Sequence, residues 1–240
     1  MPNKPQHNGE NRAKTPRRLG ILKSASTRLD PIRFAHKLGF NPDPRQTELL
    51  CCNSTSVILN CSRQWGKSTI CSLKALHVLM AEKDALAVVV SPSDRQSREF
   101  VRKTATFVRK LGFKVRGDGD NDVSLLLPNG SRLIGLPGKE STIRGFSSVS
   151  MLLIDEAAQV TDELYKAIRP MRVVSNGGIW MMSTPFGRRG FFWETWSAGG
   201  PEWTRIKVPA TECPRISSEV LAKEKAALGD RQYRQNICAS

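Results

Sequence analysis

A short apolar strand that runs straight into a glycine–lysine–serine turn leaves few folds open, and residues 56–69 have that form. Ser56-Val57-Ile58-Leu59 is the β-rich run, and the turn opens what reads as a helix. From Cys61 to Ser68 the spacing fits the phosphate-binding loop G-x-x-x-x-G-K-[S/T], with Cys61 in place of the first glycine. A tight loop between strand and helix aims successive backbone N–H groups at one point, and the helix N-terminus adds partial positive charge. Gly66 lets the backbone approach a phosphate closely, Lys67 reaches toward the β- and γ-phosphates, and the Ser68 hydroxyl is placed to ligate Mg²⁺. Cys61, Ser62, Arg63, Gln64, Trp65, Gly66, Lys67, Ser68 and Thr69 are thus the candidate nucleotide cradle. A lysine-capped turn without a ligand has the same local sequence, so the rest of the chain must decide.

Charge is the strongest compositional signal. The chain of 240 residues carries a formal charge of +15, and nine Lys/Arg face only Glu10 and Asp30 within the first forty residues. A polyanionic partner, nucleic acid above all, suits that balance; a solvated basic surface is the plain alternative. Residues 1–28, rich in Pro, Asn, Lys and Arg, read as a flexible basic arm ahead of one domain over 29–240. Six cysteines show no C-x-x-C pair and no metal-ligand spacing with the histidines, so a zinc site is not expected. No apolar run approaches membrane-spanning length.

Along the chain, strands and helices alternate. A short helix is expected from Pro31 and another from Gln46; Ile70, Leu73, Leu76 and Met80 continue the helix after the loop. Residues 85–91 form a continuous apolar run suited to a strand buried on both faces, followed by a basic helix from about Ser93 to Leu111. Val123 to Leu127 and Ser131 to Leu136 flank Asn129-Gly130, a strong hairpin signal. Two more buried strands, 150–154 and 178–182, enclose a helix starting near Thr161, and Ser217/Ser218 and Gly229 bracket a last helix. This order predicts an α/β fold with a mainly parallel, twisted sheet flanked by helices and carrying a β-hairpin insertion.

The second buried strand ends in Asp155-Glu156. Ligands of a parallel sheet sit beyond the carboxyl ends of its strands, where these acids emerge. Asp155 is suited to hold Mg²⁺ and Glu156 to orient and deprotonate an attacking water. An acidic turn at a strand end is common by itself, but about 90 residues after a phosphate loop it completes a nucleotide-hydrolase pattern. The third buried strand ends in Ser183-Thr184-Pro185, which would set the Thr184 hydroxyl beside the acids or merely terminate a strand. Arg63 lies inside the loop, and Arg144 precedes the acidic strand; either has the chemistry of an arginine finger, and either could instead pair with a surface acid.

Taken together, these residues resemble the ATPase domain of the large terminase subunit of tailed bacteriophages, the DNA-packaging motor. The resemblance runs from about Phe40 to the end. Pro44-Arg45-Gln46 resembles that family's adenine-binding motif, and Ser62 to Ser68 its deviant phosphate loop, which often lacks the first glycine. Arg144-Gly145 ahead of Leu153-Ile154-Asp155-Glu156 is similar to the run into the family's catalytic acids, Ser183-Thr184-Pro185 resembles the coupling motif, and residues 187–194 resemble the segment that follows it. The resemblance implies an additional-strand, RecA-like P-loop ATPase using ATP and Mg²⁺. Gln46 would read adenine, Arg63 would act on phosphates in cis, Arg144 would be a finger for a neighbouring subunit, and Thr184 would couple hydrolysis to movement. It further implies double-stranded DNA, a portal protein and a small terminase subunit as partners. The site of action would be the host cytoplasm, in a homo-oligomeric ring whose assembly from the isolated chain is left open. Full-length large terminases continue into a ribonuclease-H-like domain, and the chain stops about where that would begin, so no nuclease activity is expected of it. Two rivals remain. A superfamily-2-like helicase would separate strands of a forked duplex but needs a second RecA-like lobe; a DNA-binding assembly module would bind nucleotide without turnover.

Overall fold

The computed structural model describes residues 30–138 and 145–236. The basic arm proposed for residues 1–28, and Arg144, lie outside them. Seven strands form one sheet: β1 (Ser56–Cys61), β2 (Leu86–Ser91), β3 (Ser124–Leu126), β4 (Arg132–Pro137), β5 (Met151–Asp155), β6 (Gly178–Ser183) and β7 (Thr204–Val208). Their order across the sheet is β3-β4-β2-β5-β6-β1-β7. Every pairing is parallel except β3 with β4. β6 separates the strand that feeds the phosphate loop from the strand that carries the acids, as an additional-strand topology requires. The hairpin predicted around Asn129-Gly130 is present, and its second arm is a full member of the sheet through β2 rather than an appendage.

The apolar runs of the strands divide by alternation into two layers. Val57, Leu59, Ala87, Val89, Met151, Leu153, Trp180 and Met182 face one core, which is closed by α1 (Pro31–Lys37), α2 (Pro44–Cys51), α3 (Lys67–Ala81) and α4 (Asp94–Lys110). Ile58, Val88, Val90, Leu152, Ile154, Ile179 and Met181 face the other, covered by α5 (Asp162–Ile168) and α6 (Gly190–Ala198). A strand covered on both faces loses the polar half of its pattern, which is why these segments read as unbroken hydrophobic runs.

Local chemistry sets the helix ends. Asp43 and Gln46 form a reciprocal capping box on α2, Ser93 and Gln96 one on α4, and the Thr161 hydroxyl accepts from the Leu164 N–H of α5. Buried Lys74 donates to the carbonyls of Leu50 and Cys52 at 2.8 Å each, tying α3 to the end of α2. α6 is held at both ends. Its Phe191 N–H donates to Asp162 at 2.7 Å, the Phe191 ring stacks on Tyr165 at 3.9 Å, and the Arg205 guanidinium of β7 takes carbonyls of Thr195, Trp196 and Gly199 at its C-terminus.

One expectation changes, and two elements are new. α7 (Ser218–Asn236) runs through Gly229 instead of ending there, since an interior glycine costs about 1 kcal/mol, which flanking helix formers offset. α6 and β7 carry no expectation in the sequence reading: α6 is aromatic on several sides, and β7 is a short edge strand with only Ile206 and Val208 turned inward.

Candidate nucleotide-binding site

Register brings the candidate strand ends to one rim, because Asn60 lies opposite Ser183 and Met182 opposite Asp155. The chain leaves β1 at Cys61, which is still paired with Val208, and Ser62 N–H donates to the Val208 carbonyl at 2.8 Å. Cys61 is thus ordinary strand backbone, which explains why a side chain is tolerated where the loop pattern has glycine. Burial pushes its thiol pKa up, so it stays neutral. The turn itself is made by two left-handed residues, Gln64 at φ 64° and Gly66 at φ 92°. A Cβ on Gly66 would meet Gln46 Nε2 at 3.5 Å, an ordinary contact, so the left-handed φ rather than space calls for glycine. Between them the Trp65 ring is fully buried and anchors the loop in the core. α3 starts at Lys67 with no side-chain cap on its N–H groups, the arrangement that receives an anion.

The acids close the site from the other side. Ser68 Oγ donates to Asp155 Oδ2 at 2.9 Å, and Lys67 Nζ sits 2.8 Å from Glu156 Oε1. Glu156 holds a left-handed conformation, φ 52° and ψ 42°, which turns the chain sharply from β5 into the short 3-10 segment Ala157–Gln159. Non-glycine residues in this region are costly and cluster at functional sites. Asp155 is 5% exposed, and burial first, then the Glu156 charge, raise its pKa against the opposing pull of Lys67. For Lys67, burial disfavours the charge, but the Glu156 carboxylate outweighs it and the pKa ends above its ordinary value. Ser183 Oγ accepts from the Ala158 N–H at 3.2 Å and donates to the Thr184 carbonyl at 2.8 Å, locking the end of β6 to the turn after the acids.

A cavity of about 270 Å³ opens between these elements, lined by Arg63, Gln64, Lys67, Glu156, Gln159 and Thr184. Two guanidinium or ammonium groups, an uncapped helix start and the Ser68–Asp155 pair suit a polyphosphate with a hard divalent cation. The Ser62 hydroxyl, fully buried at the loop entrance, has no hydrogen-bond partner among the described residues.

Lys67, Ser68, Asp155, Glu156, Arg63, Gln64 and Thr184 therefore converge. Thr69, one residue further along α3, is half-buried. Gln46 does not line the cavity: it is buried, accepting from Asp43 N–H at 3.1 Å and donating to the Trp65 carbonyl at 3.2 Å. The sequence reading did not single out Gln159, the polar residue in the otherwise apolar run Ala157-Ala158-Gln159-Val160, nor Ser183 by its bonding, nor Arg215, which donates to Asp43 and to the Trp65 carbonyl.

The raised pKa of Asp155 carries a stability prediction. A carboxyl with a higher pKa when folded than when unfolded costs stability: the cost sets in as pH rises past the unfolded value and is complete above the folded one. Asp155→Asn keeps an acceptor for Ser68 and removes that charge. We expect it to raise the melting temperature at neutral pH by a few degrees, about 3 °C per kcal/mol for a chain of this size. The gain should vanish in acid, where the wild-type carboxyl is also neutral. Thermal melts across pH check this, and a lower melting temperature for the variant at neutral pH would contradict it.

Residues 58–239 match the family described as Terminase large subunit, T4likevirus-type, N-terminal. Among solved structures, the chain is similar to the large terminase ATPase domain of Thermus phage P74-26, with TM-score 0.77 and 19% identity over 87% of this chain and 97% of that one. It is also similar to the large terminase of a thermophilic bacteriophage in complex with ADP, with TM-score 0.67 and 12% identity over 89% of this chain and 52% of that one. For the HK97 bacteriophage large terminase the TM-score is 0.67 and the identity 17%, over 82% of this chain and 49% of that one. The chain spans about half the length of these last two proteins.

Proposed function

The chain belongs to the terminase large-subunit family of the T4likevirus type, in its N-terminal part, and from that premise we propose that it hydrolyses ATP to drive double-stranded DNA into a procapsid. The observation that carries the reading is the double contact Lys67–Glu156 and Ser68–Asp155, which joins a phosphate loop to a pair of strand-end acids across the inserted strand β6.

In this reading the backbone from Cys61 to Thr69 surrounds the phosphates, Lys67 pairs with their charge, and Ser68 with Asp155 holds Mg²⁺. The bound cation supplies neutralisation of phosphate charge. Glu156 leaves Lys67 when phosphate takes the ammonium, and its carboxylate then positions and deprotonates water. Arg63, exposed at the mouth of the cavity, acts on phosphate in cis. Gln46 keeps one N–H and one lone pair beyond its two present bonds, enough to read a base edge if the loop shifts. Thr184 borders the same cavity directly after β6 and couples the γ-phosphate state to that strand. Arg144 is proposed as the finger presented to a neighbouring subunit in a ring docked on a portal protein, with a small subunit as further partner. The net charge of +15 suits sequence-independent contact with the DNA backbone. Among the described residues no helix is long and apolar enough to cross a membrane.

Mg-ATP turnover per subunit, followed over a wide range of protein concentration with and without duplex DNA, tests the proposal. A per-subunit rate that climbs with concentration is expected, since a finger in trans is worth roughly 10³–10⁵ in rate. Arg144→Ala mixed with Glu156→Gln should recover activity that neither has alone. A flat, measurable rate would make Arg63 sufficient, and no turnover under any condition would remove the hydrolase reading.

A further inference from the structure

The Trp65 carbonyl in the phosphate loop is gripped from two sides. Arg215 Nη2 donates to it at 2.6 Å and Gln46 Nε2 at 3.2 Å. The same Arg215 nitrogen donates to Asp43 Oδ2 at 3.2 Å, and Asp43 is the N-cap of α2, so both of its hydrogens are engaged. A second ion pair of opposite sense, Arg45 Nε to Glu212 Oε2 at 2.7 Å, joins the same two segments. Arg215 stands on a firm post: Cys213 is buried in the core, Ile216 packs against that core, and Ile216 N–H donates to the Cys213 carbonyl at 3.0 Å.

The direction of a carbonyl fixes the direction of its neighbour. In a planar trans peptide the C=O of one residue and the N–H of the next point to opposite sides, and the described residues contain no cis peptide. Holding the Trp65 carbonyl toward Asp43, Gln46 and Arg215 therefore turns the Gly66 N–H the other way, into the loop that precedes Lys67. Gly66 sits at φ 92°, and glycine has several alternative basins open to it, so the peptide needs an external hold. We infer that Arg215 is a positioning residue for nucleotide binding: from the segment between β7 and α7 it fixes the Trp65–Gly66 peptide so that the Gly66 N–H faces the bound phosphates. The inference rests on the nucleotide-site reading above but not on hydrolysis or on DNA packaging.

The test is the dissociation constant of MgADP, measured by calorimetry for the wild-type chain and for Arg215→Met, Arg215→Lys and Asp43→Asn. Methionine keeps the apolar stem and removes the donors, lysine restores them, and asparagine keeps the helix cap while releasing Arg215. We expect Arg215→Met to weaken MgADP about tenfold, as loss of one charge-assisted hydrogen bond does, with Arg215→Lys within about threefold of wild type and Asp43→Asn between the two. Arg215 is 49% exposed on its side chain, so melting temperatures should stay close to wild type. Amide exchange at Gly66 should speed up in the methionine variant. Arg215→Met binding MgADP as tightly as wild type would overturn the inference, as would weakened binding with amide exchange at Gly66 unchanged, because that would mean direct ligand contact rather than a hold on the peptide. Wild-type binding without ATP turnover would defeat the hydrolase proposal and leave this one standing; no binding at all would defeat both.

Discussion

Replacing Lys67 by alanine is expected to lower ATP turnover by at least about 10²–10³, the effect of deleting one preorganised electrostatic contact, and to weaken nucleotide binding with it. The reason is the crowding of charge at the end of β5. Lys67 is 2.8 Å from Glu156 and offsets the Asp155 charge as well, inside a site where Asp155 is nearly dry. Without the ammonium, two adjacent carboxylates face phosphate with Arg63 as the nearest described cation lining the cavity. Asp155 should then hold its proton to still higher pH, because the group that opposed its upward shift is gone. The folded chain should also lose about 1–3 kcal/mol, since a half-buried carboxylate is left without its partner. Steady-state turnover, nucleotide titration and a thermal melt read the three consequences separately. Near-normal turnover in the variant would place the chemistry elsewhere.

Glu156→Gln is expected to separate binding from chemistry. Turnover should fall about 10²–10⁴-fold with loss of the proposed general base. Affinity for ATP should hold or improve, because in the wild-type chain phosphate has to displace the Glu156 carboxylate from Lys67, whereas a neutral amide competes far less well for an ammonium. Gln and Glu have the same shape, so the left-handed turn at 156 and the 3-10 segment that follows it should persist. Filter retention of labelled ATP alongside single-turnover hydrolysis checks the split. Equal losses in binding and turnover would mean that Glu156 supports the site rather than acting on water.

What was legible in the sequence follows from how local each feature is. That residues 61–69 and the Asp155-Glu156 pair would meet at one rim was readable because both patterns have short, fixed spacing at strand ends. Strand identity was readable because both sheet faces are covered, although the division of Val57 and Ile58 into separate cores needed the sheet itself. The capping residues Asp43, Ser93 and Thr161 act within one turn, and helix starts fell within a few residues of expectation. Arg215 was not readable. It reaches Trp65 across 150 residues of sequence and Asp43 across 172, and nothing local distinguishes it from a surface arginine. The same holds for Arg205, whose carbonyl partners define the end of α6 only once β7 has taken its place. Gln46 shows the limit of motif reading: the motif located it beside the loop, while its present hydrogen bonds are to Asp43 and Trp65.

The sheet order has a consequence for how the chain is made. β1 ends at Cys61, yet its two neighbours are β6 and β7, with Ser56 opposite Ile179 and Val57 opposite Thr204. At about 5–20 residues per second, synthesis takes on the order of ten seconds to travel from one to the other. Through that interval the apolar segment Ser56–Cys61 has neither of its hydrogen-bonding partners, and the loop after it lacks the Val208 carbonyl that seats Ser62. Parallel pairing over such distances is slow to nucleate, since chain closure must precede any reward. The candidate phosphate loop is therefore an early-synthesised, late-assembled part of the molecule. A nascent chain should gain nucleotide affinity only after Val208 and then Arg215 have emerged, which makes nucleotide capture a readout of completed folding.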